Sequence, residues 1–391
     1  MRNPELRIAL SMGLSDSYEH GVVRGVVRYA REQTHWSLYG AGWMFRGLGN
    51  IDSWEGDGII ARVESRKQAQ LLAGTGLPVV DVAGAYLLPE LHPVTNDDFN
   101  TGRRAGIYAA TGGFSRFAFC GVADVSWSHV RFAGFQEAVG APIPVFEQPL
   151  TWWERPEEYG QLAVWIRSLP KPAALFACND TAGIKVTALC RRLGIAVPQE
   201  IAVLGVDNED ILCELSDPPL SSIPLDCESI GYRAAAELRR LIEKRRTLRG
   251  RHSAKDRLRD IASPFPVIEP LPIVERTSTQ TIPTLDTVVR RAAEFVRDRA
   301  GTKLLVSEVA AAAAVSRRTL ELRFRAVTGR TVHAEILRVR MQHAAKLLRE
   351  TNLPVRAVAR QSGISTPQRF YVQFRRAEGC TPDEYRRRYR R

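Results

Sequence analysis

Asp207 and Asn208 close the apolar run Ile201–Val206, and Asn179 and Asp180 close Ala173–Ala177. Gly84 and Gly121 stand at the ends of two further runs. In a parallel sheet, ligands bind beyond the carboxyl ends of the strands, where these residues fall. An ionised carboxylate there accepts hydrogens from two sugar hydroxyls, and an amide both donates and accepts. An arginine offers a planar fork to ring and hydroxyl oxygens. Helix capping is the competing role. For Asp180 and Asp97 the two roles weigh equally; Asp207 favours the ligand. Trp127, Trp152 and Tyr18 follow apolar runs and could face a sugar ring, although core packing is the commoner fate of such aromatics. No catalytic set accompanies them: seven histidines form no H-E-x-x-H or H-x-x-H pair, and there is no G-x-S-x-G and no Walker loop. No cofactor or metal is expected.

A second constellation occupies the C-terminal part. Val306, Val309, Ala310 and Val315 recur 49 residues later as Val355, Val358, Ala359 and Ile364. Leu320, Phe324, Arg325, Gly329 and Thr331 recur 50 residues later as Phe370, Phe374, Arg375, Gly379 and Thr381. The offset changes inside a turn, so the repeat is two helix-turn-helix units, about 304–328 and 353–378, with one extra residue in the second turn. Ser316 and Thr366 can cap the second helices, and Pro367 fits the first helical position. Leu320, Phe324 and Val327, and likewise Phe370, Phe374 and Ala377, form the inward faces. The outward faces are then Arg318, Leu322 and Arg325 flanked by Glu321, and Gln368, Val372 and Arg375 flanked by Tyr371. Arginine matches guanine, glutamine matches adenine, and apolar groups meet thymine methyls in a DNA major groove. A solvated amphipathic helix is the plainer alternative, disfavoured by the doubling and the charge.

The elements that must carry these residues are of two kinds. Leu6–Met12, Gly58–Val63, Pro78–Ala83, Phe117–Val122, Ala173–Ala177 and Ile201–Val206 are continuously apolar, as strands buried on both faces are. Helical patterns at Gly21–Gln33, Thr101–Thr111, Phe132–Val139 and Ala182–Leu193 separate them, which implies parallel sheets with crossover helices. A length near 280 suits two lobes. The chain therefore reads as a two-lobed α/β domain, 1–279, followed by an all-α domain, 280–391. Charge divides along the same line: from Ile282 to Arg391, 24 Lys and Arg stand against 10 Asp and Glu, while the whole chain carries +12. The first domain is thus near neutral and the second is a polycation, suited to a polyanion. Arg239–Arg259 reads as a basic exposed loop, Thr277–Pro283 as the hinge. The start Met1–Leu10 lacks an export signal, no run of 18 apolar residues exists, and six cysteines form no C-x-x-C pair. A cytoplasmic chain with reduced thiols and no membrane partner is expected.

Glu55–Ala61 (EGDGIIA), Arg131–Phe135 (RFAGF), Ala177–Asp180 (ACND) and Val203–Asn208 (VLGVDN) together resemble the effector domain of lac-repressor-type regulators and periplasmic sugar-binding proteins. The resemblance implies that Arg131 and Asp207 hydrogen-bond a sugar, with Asn179 and Asp180 beside them. The last hundred residues resemble the AraC-type DNA-binding domain through Gly363-Ile-Ser, Phe370-x-x-x-Phe374-Arg-Arg and Gly379–Arg386. That likeness implies base contacts from Arg318, Glu321 and Leu322, then Gln368, Arg369, Tyr371 and Val372, with Arg375, Arg376 and Arg338 on phosphate. Leu322 and Pro367 occupy positions where polar residues are frequent. The order of the two domains resembles that of the xylose operon regulators. It implies a sugar-responsive activator, with a pentose such as D-xylose as effector, double-stranded DNA as partner, a homodimer, and RNA polymerase as a further candidate contact. The alternatives are the same architecture sensing another small molecule, such as a purine, or a partner protein, and a soluble sugar-binding protein whose basic tail is incidental.

Overall fold

The computed structural model describes residues 5–33, 36–40, 51, 54–86, 88–155, 159–248, 267–282, 284, 286–364 and 366–389. The first lobe contains β1 (Leu6–Ser11), α1 (Ser17–Gln33), β2 (Trp36–Gly40), β3 (Gly58–Ala61), α2 (Arg66–Gly74) and β4 (Val79–Asp81). Its strands are parallel in the order β2-β1-β3-β4. Strand β5 (Thr95–Asn96) leads across to the second lobe: α3 (Asp98–Thr111), β6 (Phe117–Val122), α4 (Ser126–Val139), β7 (Val145–Gln148), α5 (Gly160–Ser168), β8 (Ala173–Ala177), α6 (Asp180–Arg192), β9 (Ile201–Asp207), α7 (Asp210–Leu215) and β10 (Ser221–Pro224). These strands are parallel in the order β10-β9-β8-β6-β7. Helix α8 (Cys227–Leu248) returns to the first lobe and packs on α1, and β11 (Val267–Ile268) pairs with β5. The six continuously apolar runs are β1, β3, β4, β6, β8 and β9, whose interiors are buried because helices cover both faces. Strands β2, β7 and β10 are sheet edges with mixed composition, and β5 and β11 are two residues long.

Both lobes use glycine to bring helices together. A Cβ on Gly102 of α3 would stand 1.8 Å from the carbonyl oxygen of Arg131 on α4, and one on Gly134 would stand 2.0 Å from that of Phe99. Gly25 of α1 and Gly231 of α8 are equally constrained, at 2.0 Å from the Glu228 oxygen and 1.9 Å from the Val22 oxygen. Backbone thus meets backbone at each crossing, and the α3–α4 crossing sets where Arg131 stands.

Two segments differ from expectation. The basic stretch after Arg239 is not a loop from its start: α8 runs to Leu248, because Ile230, Ala234, Leu238, Leu241 and Ile242 bury one face and carry the charged end with them. Residues 249–259 of that stretch lie outside the described residues. The expected hinge begins late: Ser278 is buried, its Oγ donates to the Val203 carbonyl at 2.6 Å and accepts from Ser221 N at 2.8 Å. Residues 277–279 are therefore stapled to the second lobe; Pro283 lies outside the described residues.

The C-terminal domain is helical: α9 (Thr287–Asp298), α10 (Val306–Ala312), α11 (Arg317–Thr328), α12 (Val332–Glu350), α13 (Val355–Gln361), α14 (Pro367–Glu378) and α15 (Pro382–Tyr389). Its apolar residues form two cores. Val289, Val296, Leu320, Phe324, Ile336 and Val339 build one, and Met341, Leu348, Val358, Phe370, Phe374 and Tyr385 the other. Helix α12 supplies both, its first half to one and its second half to the next. Truncating Phe324 or Phe374, both fully buried, would cost about 3–5 kcal/mol. The turn between α10 and α11 is one residue shorter than that between α13 and α14, as the shift in the repeat requires. Val327 is 39% exposed and Ala377 is also exposed, so the inward faces are narrower than expected, carried by Leu320–Phe324 and Phe370–Phe374. Ser316 Oγ accepts from Thr319 N at 3.1 Å, whereas Thr366 makes no capping bond; Pro367 at the first position starts α14 instead.

Candidate ligand cleft and DNA-reading faces

Arg131 is 3% exposed and lies between two carboxyls. Its Nε donates to Asp98 Oδ1 at 2.8 Å and its Nη1 to the Cys178 carbonyl at 2.6 Å. The same Nη1 stands 3.9 Å from Asp207 Oδ1, beyond hydrogen-bond reach. The guanidinium stacks 5.0 Å from the Trp127 ring. Among the described residues, nothing donates a hydrogen bond to the Asp207 carboxyl. Burial pushes that carboxyl up to about 8, although Arg131 and Arg62 pull it down. At neutral pH it is mostly protonated, a carboxyl waiting for donors.

The turn that presents Asp207 is built from beneath. Asp207 and Asn208 both take left-handed backbone, φ 100° and 53°, a conformation that costs of order 1–3 kcal/mol and persists only when its surroundings enforce it. Asp180 is 1% exposed and accepts from Glu209 N at 2.8 Å and Cys213 Sγ at 3.2 Å. Asn208 N donates to Ser222 Oγ at 3.0 Å, and Arg276 Nη1 donates to Asn208 Oδ1 at 2.8 Å. A Cβ on Gly205 would meet Asp180 Oδ1 at 2.2 Å. Asp180 thus supports the turn, its own carboxyl pushed up to about 6 by burial. Asn179 caps α6, its Oδ1 accepting from Ala182 N at 2.9 Å, and Asp97 caps α3 in the same way.

The first lobe faces this group with Arg62, at the end of β3. Arg62 pairs with Asp16, lies 3.4 Å from Glu19, and stacks 5.4 Å from the Tyr18 ring. Two straps cross between lobes. Ser17 N and Oγ donate to Glu209 at 2.5 and 2.8 Å, and Ser126 N and Oγ donate to the Ala85 carbonyl at 3.0 and 2.9 Å. Of the expected contacts, Asp207, Arg131 and Trp127 come together. Tyr18 is 8% exposed and gives its hydroxyl to the Val82 carbonyl. Trp152 stands apart, packed on Phe146, Trp153 and Tyr159.

On the C-terminal domain, Arg318, Leu322 and Arg325 project from α11, and Gln368, Arg369, Val372, Arg375 and Arg376 from α14, all exposed. Leu322 is 65% and Val372 70% exposed, apolar side chains with no protein partner to bury them. None of these five arginines pairs with an acid among the described residues, so each is free for phosphate or base edge. Glu321 and Tyr371 are half-buried: Glu321 approaches Val332 N at 3.4 Å, and the Tyr371 phenol donates to Asp383. Arg338 points elsewhere, forked onto Glu335 at 2.7 and 3.0 Å.

Three family models match the chain: a XylR N-terminal domain over residues 7–98, a periplasmic binding protein-like domain over 108–263, and a helix-turn-helix domain over 309–388. The xylose operon regulatory protein of Escherichia coli strain K12 is 30% identical over 394 residues, 97% of this chain and 96% of that protein. The chain belongs to the family of xylose operon regulators. A solved structure described as the xylose-binding transcription activator xylR matches it with a TM-score of 0.63 and 28% identity, covering 100% of both chains. An AraC-like transcription regulator of Streptomyces antibioticus is 36% identical over 102 residues, which are 26% of this chain and 34% of that one. The molecule is a sugar-responsive, DNA-binding transcription regulator with an AraC-type reading domain.

The strand-end rule that singles out Asp207 also points at Arg62, which directly follows β3 and was missed. Asp98 was missed because its partner Arg131 is 33 residues away, across a helix crossing. Arg276 was missed because nothing in its own neighbourhood hints at Asn208. Among the described residues no cluster of His, Cys, Asp or Glu could hold a metal, and no helix is long and apolar enough to cross a membrane.

Proposed function

We propose that the chain is a D-xylose-dependent activator of pentose-catabolism genes that acts as a homodimer. The observation that carries this reading is the Asp207 carboxyl, held 3.9 Å from Arg131 with no hydrogen-bond donor among the described residues and with Arg62 of the first lobe near enough to act on its charge. Vicinal hydroxyls bridge such a pair, donating to Asp207 and accepting from Arg131, and Trp127 offers a ring face. The names of the matched relatives favour xylose over other sugars.

Sugar in the cleft stabilises the closed lobes, and it does so only by its differential affinity for closed over open. The second lobe holds the start of the connection to the DNA-reading domain through Arg276 and Ser278. Closure therefore turns that domain with the lobe. In a dimer this brings the recognition helices α11 and α14 of each subunit into register with successive major grooves, about 10 bp apart. Arg318 and Gln368 read base edges, Leu322 and Val372 meet thymine methyls, and Arg375 and Arg376 hold phosphate. RNA polymerase is the partner that activation then requires.

Calorimetry of the full chain against D-xylose, other pentoses, hexoses and purines tests the ligand. Xylose alone should bind tightly, and Asp207→Ala should abolish that heat while leaving sugar-free operator affinity unchanged. Preference for a purine or a hexose, or an unaltered Asp207→Ala titration, would overturn the assignment.

A further inference from the structure

A cavity of about 680 Å³ lies between the second lobe and the C-terminal domain. This is within the ~300–1,000 Å³ typical of small-molecule sites. Its lining includes neither Asp207 nor the exposed side chains Arg318, Leu322, Arg325, Gln368, Arg369, Val372, Arg375 and Arg376 of α11 and α14. One wall is apolar, from Phe114, Phe176 and Leu204 of the second lobe; the other is helix α12 with its neighbours.

The charge on that second wall does not balance. Arg297, Arg330 and Arg338 surround one carboxylate, Glu335, which is 2% exposed. Glu335 is spent on Arg338, which it holds with both oxygens, and on Arg330 at 3.4 Å. That 3.4 Å contact is made by the Arg330 Nε, which is ion-paired there but forms no hydrogen bond among the described residues. Arg297 makes no ion pair among the described residues. Burial and the nearby Arg338 push its guanidinium down from its usual range, although Glu294, Glu335 and Asp298 pull it up. Two acids share the lining: burial pushes the Glu275 carboxyl up while Arg338 and Arg349 pull it down, and burial pushes the Glu378 carboxyl up against the pull of Arg349. Five basic side chains on the lining, Arg297, Arg330, Arg338, Lys346 and Arg349, thus face two acids on it, Glu275 and Glu378, with Glu335 as a third nearby, so the cavity keeps an excess of positive charge that suits an anion.

We propose that this interdomain cavity is a second effector site, for a small organic phosphate, with Arg297 and Arg330 gripping the phosphate and the apolar wall facing the organic part. Arginine forks match phosphate oxygens in paired hydrogen bonds. Because the ligand would touch both domains, it would fix their relative orientation and so bias DNA binding independently of sugar.

Full-length protein is titrated by calorimetry with inorganic phosphate, D-ribose 5-phosphate and neutral D-ribose. Both phosphates should bind and D-ribose should not compete for the site; a tighter ribose 5-phosphate identifies a phosphorylated metabolite as the source, equal affinities identify free phosphate. Arg297→Gln and Arg330→Gln should each weaken binding about tenfold or more. Arg318→Gln and Arg375→Gln, on the DNA-reading faces, should not. Xylose titration of each variant reports that its effector lobes remain folded. Absence of phosphate binding, or loss of it in Arg318→Gln and Arg375→Gln but not in Arg297→Gln and Arg330→Gln, overturns the proposal.

Discussion

If Asp207 holds the sugar as proposed, sugar affinity should rise with pH, and its carboxyl sets how steeply. Its carboxyl is pushed up to about 8, chiefly by burial. Sugar hydroxyls donate to the ionised form, so the bound complex favours the carboxylate and binding expels a proton. Asp180 and Asp81 are held near 6 by the same desolvation, so the window that isolates Asp207 is pH 7 to 9. With a value of about 8, roughly a tenth of the free protein is ionised at pH 7 and nine-tenths at pH 9. The dissociation constant should therefore fall about tenfold across that window, about 1.4 kcal/mol. Calorimetry in two buffers of different ionisation enthalpy at pH 7 should also show close to one proton released per sugar. Asp207→Asn keeps the size of the side chain but cannot ionise, so its weaker binding should be flat with pH. A flat native profile, or the same slope in Asp207→Asn, would refute the role given to this carboxyl. Sugar-free stability must run the other way. The folded protein holds the Asp207 proton more tightly than the unfolded chain, so stability is lost as pH rises from about 4 to about 8. Asp207→Asn should melt at a higher temperature than the native chain at pH 9.

Glu209→Ala removes the acceptor of both Ser17 bonds; sugar affinity should drop several-fold through the open–closed balance, and an unchanged affinity would show that the strap carries no closing energy. Gly102→Ala puts a methyl against the Arg131 backbone, so α3 and α4 must separate; the melting temperature should fall and sugar binding with it, a result checked by far-ultraviolet dichroism and calorimetry. Gln368→Ala should change preference at one base pair by about 1–3 kcal/mol. Arg376→Ala should weaken all sequences alike and lower the salt slope by about 1, both read from binding assays at several salt concentrations.

Asp207 was legible as a candidate because strand ends in a parallel sheet are where ligands bind, a rule that needs only the order of apolar runs. Arg62 obeys the same rule but faces the site from another sheet, and no local pattern reveals a partner across a cleft. Trp152 shows the reverse failure: its position after an apolar run is right for a ligand contact, yet Phe146 and Trp153 fill the space around it. Asp180 was even between cap and ligand; Asn179 takes the cap, and the Asp180 carboxyl accepts from Glu209 N, 29 residues later, a partner no local pattern reveals. The register of the helix-turn-helix pair was readable because a repeat displays its own spacing, while the exposure of Val327 and Ala377 and the uncapped Thr366 were not. Glu321 and Tyr371 lost freedom to Val332 and Asp383, contacts that the next helix makes and that spacing within one helix does not show.

Helix α12 runs 19 residues without a break between the two reading units, a rigid span of about 28 Å. It works as a gauge block. One residue added to it would swing the second reader by about 100° and advance it about 1.5 Å. One base pair added to the operator swings the target by about 34° and advances it about 3.4 Å. No whole number of residues reconciles both, so protein and operator cannot drift apart in step. The distance between half-sites within one subunit's footprint should be the most tightly held feature of any promoter this chain controls, more so than the bases themselves.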